Sequence, residues 1–89
     1  MPTLNFTANL QRHVEAPEAQ VTGQTVKQAL ESYFSHHPAV RSYVLDNQGT
    51  VRHHVAIFIN QSLIQDRHQL SDPVSPTDSI LVVQALSGG

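Results

Sequence analysis

The chain has 89 residues, of which 39% are hydrophobic and 13% charged, with a formal net charge of −2 and no cysteine. That length suits one small domain with a modest core, burying roughly 60–65% of the surface the unfolded chain exposes. The acid–base balance and a pI near 6.3 argue against a partner held by nucleic-acid phosphates, and the missing thiols exclude disulfides, thiolate metal sites and Cys nucleophiles. No stretch approaches the roughly 18 apolar residues of a membrane span. Met1–Leu10 has neither a basic nor an apolar leader segment, so a soluble cytoplasmic protein without a membrane partner is expected.

Thr3–Leu10 alternates Leu4, Phe6, Ala8 and Leu10 with polar residues, which predicts a half-buried strand. A turn through Pro17 leads to a weak second strand at Ala19–Thr22, anchored by Val21. Gly23 then opens a helix. Thr25 is the expected N-cap and Gln28, three residues on, completes a capping box. Val26, Ala29, Leu30, Tyr33 and Phe34 form one apolar stripe, and Pro38 ends the helix. Ala39–Asp46 fits either a short helix or an irregular crossover. Thr50–Asn60 reads as the strongest strand. Asn60-Gln61 reads as a tight turn into a short strand at Leu63-Ile64, followed by a loop with Pro73 and Pro76. Ile80–Leu86 reads as the last strand, before Ser87-Gly88-Gly89.

The order β-β-α-β-(β)-β predicts an α+β fold of β-grasp type. One main helix would lie on one face of a mixed sheet whose first and last strands pair in parallel. The expected organisation is a domain over 1–86 and a flexible tail over 87–89. One helix covers only one sheet face. Alternation assigns Val51, Val55, Ile57 and Ile59 with Ile80 and Val82 to the covered face, and Ala56, Phe58, Leu81 and Val83 to the other. Phe58, Leu81 and Val83 then form a patch that a tail or loop covers, a dimer buries, or a partner docks on.

The β-grasp order, the strand Val55-Ala56-Ile57-Phe58-Ile59-Asn60 and the terminal run Ile80-Leu81-Val82-Val83-Gln84-Ala85-Leu86-Ser87-Gly88-Gly89 together resemble the ubiquitin-like sulfur carriers of MoaD/ThiS type. The resemblance covers the whole chain. It departs at Gln61, where family members often have glycine, and at Pro76-Thr77-Asp78-Ser79, where an Asp-Gly-Asp turn is common. It implies a carrier rather than an enzyme. An E1-like enzyme, using ATP and Mg2+ that the carrier does not itself bind, would adenylate the carboxylate of Gly89. A sulfur donor would then displace AMP to leave a thiocarboxylate, and a sulfur-accepting synthase would take the sulfur. Ser87 and Gly88 would form the thin arm that threads the active-site channel. Phe58, Leu81 and Val83 would meet the partner, with Leu86 at the channel mouth. Two alternatives stay open: a protein modifier that passes the same adenylate to a target lysine, and a β-grasp binding module whose Gly-Gly end is incidental.

The histidines argue against a metal site. His36-His37 and His53-His54 are adjacent pairs, and neighbours on a strand point to opposite faces. No serine sits in a nucleophile elbow, and glycine is too sparse for a phosphate loop.

Overall fold

Leu4 and Phe6 alternate with Thr3 and Asn5 in β1 (Thr3–Phe6), and only the apolar pair is buried. A computed structural model of the chain describes residues 1–84. The expected strand over Thr3–Leu10 stops at Phe6. Ala8–Gln11 turns into a single helical turn, α1, that carries Leu10 into the core while Ala8 faces solvent. The Gln11 side-chain amide donates to the Phe6 carbonyl at 3.0 Å and fastens that turn. Phe6 and Leu10 are four residues apart, a spacing that satisfies both a strand period and a helical one.

The second strand, β2, is confined to Ala19–Gln20 and runs antiparallel to β1, with Val21 buried beyond it. The main helix, α2 (Val26–His36), begins as the capping pattern requires. Thr25 Oγ1 accepts from the Gln28 amide at 3.2 Å. The return bond goes one residue further upstream than a capping box predicts: Gln28 Oε1 accepts from the Gln24 amide at 2.8 Å. Gly23 makes this entry possible. Its φ of +148° is one that residues with a side chain rarely adopt, and a Cβ there would lie 2.7 Å from the Ala29 nitrogen.

All five stripe residues of α2 are buried. Tyr33 also donates its hydroxyl to the Pro17 carbonyl at 2.7 Å, which ties the β1–β2 connection to the helix. Burial, and secondarily the charge of Glu15, push the Tyr33 phenol up to about 12. Pro38 does end α2, and it also starts the next helix as its N1 residue, a position where a missing N–H costs nothing. This is α3 (Pro38–Val44), which decides Ala39–Asp46 in favour of a short helix with Val40 and Val44 buried.

The strand expected over Thr50–Asn60 is shorter. It is β3, Val55–Ile59. Val51 makes an isolated bridge to Leu45, and the Val55 amide then closes a turn on the Arg52 carbonyl at 2.9 Å, with His53 and His54 at its tip. Asn60 and Gln61, at φ of 49° and 77°, turn the chain into β4 (Ser62–Leu63). The loop that follows is organised by two carboxylates. Asp72 accepts from the amides of Gln65 and Asp66, and Asp66 accepts from those of His68, Gln69 and Ser71. The last strand, β5, is described over Ser79–Gln84; its expected continuation to Leu86 lies outside the described residues.

The five strands form one mixed sheet in the order β2-β1-β5-β3-β4. β5 pairs parallel with β1 and antiparallel with β3, as the element order predicts. Helices cover one face. Leu4, Phe6, Val55, Ile57, Ile80 and Val82 meet the α2 stripe and the α3 residues in a single core, with Ile59 packed at its margin. No buried side-chain nitrogen or oxygen among the described residues lacks a hydrogen-bond partner.

The strand phase makes an opposed pair of expectations. Ile57 is fully buried, so Ile57→Asp strands an unpaired charge and should cost about 4 kcal/mol or more. Phe58→Asp, one residue on and facing the other way, should lose less than half as much in a denaturant titration. A second expectation concerns acid. The Gln69 amide first, then the Ser71 hydroxyl and other loop donors, hold the Asp66 carboxyl down to about 2. Because the folded value is the lower one, this stabilisation is complete above the ordinary carboxylate range and is lost as pH falls through about 2. Melting temperature measured across that interval should fall less steeply for Asp66→Asn than for the parent chain.

Candidate functional site

The face of the sheet opposite the helices is apolar on its β3–β5 side. Register places Phe58 directly across from Leu81 and Ala56 across from Val83. All four side chains are half-buried, shielding one another without being covered. Phe58, Leu81 and Val83 therefore come together as the alternation predicts. Leu63 joins them: it pairs with Phe58 from the other side and is 54% exposed. The sequence reading missed this residue although its signal was present. A two-residue turn at Asn60-Gln61 forces 59 to pair with 62 and 58 with 63. On the β1 side the face becomes polar, with Asn5 opposite Leu81 and Thr3 opposite Ser79. None of these strand positions carries a charge, so contact here would be driven by removing apolar surface from water.

The end of the patch is held by a clasp. Asn60 Nδ2 donates to Asp78 Oδ1 at 2.7 Å, and Asn60 Oδ1 accepts from the Ser79 amide at 2.9 Å. Asp78 Oδ2 in turn accepts from the Ser75 amide at 2.8 Å. One asparagine thus joins the β3–β4 turn to the start of β5. Asn60 suits a positive φ better than most side chains do; Gln61 occupies such a position where the related pattern often has glycine. Beside Phe58 and Leu81, the clasp residues Asn60, Gln61 and Ser79 line a shallow groove.

The remaining site residues from the sequence, Leu86, Ser87, Gly88 and Gly89, lie outside the described residues. What the structure does place is the strand that leads to them: β5 is described to Gln84, opposite Val55.

His53 and His54 occupy a turn, not the strand on which opposite-face reasoning relied. Their rings meet edge to face with centroids 5.6 Å apart. His37 stacks on Tyr33 at 4.7 Å, and His36 is exposed at the end of α2. Among the described residues no three His, Asp or Glu side chains gather into a metal-binding group, and no helix is long and apolar enough to cross a membrane.

The fold recurs in known proteins. The chain aligns over 99% of its length, and 98% of the other chain, with SAMP1 from Haloferax volcanii at a TM-score of 0.78 and 23% identity. It aligns over the full length of both chains with a chain of the Amycolatopsis orientalis BexX/CysO complex, at 0.83 and 17%. Mycobacterium tuberculosis CysO gives 0.80 and 16%, covering 97% of this chain and 100% of that one. At these identities the likeness speaks for the fold, which is the ubiquitin-like β-grasp. No curated protein matches the sequence. The ThiS family model, however, matches residues 4–89, nearly the whole chain including the terminal glycines. The chain belongs to the ThiS family.

Proposed function

We propose that this protein carries sulfur as a thiocarboxylate at Gly89. The observation that carries the reading is the ThiS match extending through Gly89, on a chain whose last described strand flanks an uncovered apolar patch. A carboxylate is a poor acyl donor. In the proposed cycle a Gly89 carboxylate oxygen attacks the α-phosphorus of ATP on an E1-like enzyme and releases pyrophosphate. Hydrosulfide then attacks the carbonyl carbon and loses its proton to solvent, AMP leaves with the C–O bond that breaks, and the acyl group retains the sulfur as a thiocarboxylate. The thiocarboxylate gives that sulfur to a synthase. The carrier supplies no side-chain catalyst. Gly88 and Gly89 lack Cβ and admit close channel walls. Phe58, Leu63, Leu81 and Val83 would seat the body against the partner, with Leu86 and Ser87 at the channel entrance. The likeness to a chain of the BexX/CysO complex supports an enzyme partner of this kind.

A second reading has its own support. SAMP1 is a small archaeal modifier protein, and a modifier would use the same adenylate to acylate a lysine of a target.

The intact mass of protein from its native host distinguishes these. A species heavier by the difference between sulfur and oxygen, located at Gly89, is expected for the carrier; covalent adducts on target lysines would favour the modifier. Deleting Gly88 and Gly89 should abolish ATP-dependent adenylation by the host's E1-like enzyme and leave the melting temperature unchanged. Retained function after that deletion would leave only a binding module. Phe58→Asp should weaken binding to the same enzyme by about tenfold or more, as loss of a central apolar anchor does.

A further inference from the structure

Cationic side chains gather in one place on this acidic chain. A groove of about 470 Å3 is lined by Arg52, His53, His54, Arg67 and His68, together with Asp46. It holds two of the five Lys and Arg residues and three of the six histidines. Two segments distant in sequence build it, joined where the Val51 amide donates to the Arg67 carbonyl at 3.0 Å. The arginines are braced by backbone oxygen. Arg52 Nε donates to the Ser42 carbonyl and Arg67 Nη2 to the Arg52 carbonyl, both at 2.7 Å. Neither forms an ion pair among the described residues, where Arg41–Glu31 is the one present. Asp46, the single carboxylate lining the groove, accepts from the amides of Thr50 and Gln48 at 3.0 and 2.9 Å, and these bonds, with the charge of Arg52, hold its carboxyl below the usual carboxylate range. The groove thus sets two braced guanidiniums and three imidazoles around one carboxylate.

The location gives the groove a role. His54 precedes Val55, the residue that pairs with Gln84, so the cationic turn stands beside the point at which β5 hands over to the terminal segment. We infer that this groove receives an acidic segment of the protein that engages the carrier's terminus, clamping the body at the mouth of the channel. The inference rests on the carrier reading for its partner. Carboxylates are the committed ligand because two guanidiniums braced by backbone carbonyls offer a fixed pair of charged donors. The apolar patch supplies desolvation; the groove supplies steering and orientation.

The test is an NMR titration of the full chain with a short polyglutamate peptide, with inorganic pyrophosphate as the comparison probe. Amide shifts confined to residues 46–54 and 67–68 are expected, with binding weakened by added salt. The triple variant H53Q/H54Q/H68Q should bind about tenfold more weakly near pH 6. Its three imidazoles make no hydrogen bond among the described residues, and unchanged amide shifts elsewhere would verify its fold. No binding, shifts at another surface, indifference to the triple variant, or preference for pyrophosphate would each overturn the inference. The titration does not use Gly89, so its failure leaves the carrier reading standing. A chain that never acquires sulfur would sink that reading while leaving the groove's chemistry measurable.

Discussion

β5 hydrogen-bonds along both edges, parallel to β1 and antiparallel to β3, and this central position constrains everything around it. A strand held on both sides cannot shift register without exposing Ile80 and Val82, which are fully buried. Its alternate residues are therefore locked onto the opposite face, where no helix reaches. The same pairing that anchors the core thus presents Leu81 and Val83 to solvent and sets Phe58 and Ala56 beside them. Covering a five-stranded sheet with one helical layer leaves its other face to solvent, and here the β3–β5 part of that face is apolar.

The clasp around Asn60 serves this arrangement. A two-residue turn with both φ values positive matches the twist of the flanking strands, and asparagine tolerates it. Its side chain then uses both ends, one on Asp78 and one on the Ser79 amide, so the turn and the start of β5 are positioned together. Where a related Asp-Gly-Asp turn would stand, this chain keeps an aspartate, Asp78, and it is the residue that bonds Asn60. The departure from the family pattern spares the contact that matters.

Much of this was legible in the sequence. The helix was readable because Thr25, Gln28 and the apolar stripe agree at every level, and the strand phase because alternation has one solution around Ile57 and Val82. Boundaries were not. Phe6 and Leu10 fit two periods at once, and only the Gln11 bond to Phe6 decides for the helical turn. Val51 lies in phase with Val55, yet the turn closed on Arg52 interrupts the strand and moves His53 and His54 out of it. Leu63 was recoverable from turn geometry. The cationic groove was not, because Arg52 and Arg67 look dispersed until Val51 brings their segments together. The chemistry assigned to Gly89 came from resemblance to a family, since no pattern of spacing announces a reactive carboxylate.

The place of β5 also bears on how the molecule assembles. A ribosome delivers β1, the helices and β3 before the strand that belongs between them. Until residues 79–84 arrive, β1 and β3 each present an open edge to water, and the apolar residues meant for β5 have no partner. Pairing Thr3 with Ser79 closes nearly the full length of the chain into a loop, the kind of non-local contact that slows folding. The nascent chain passes through a stage in which its vacant central slot could accept a strand from a neighbour, so aggregation during synthesis is the hazard this topology carries.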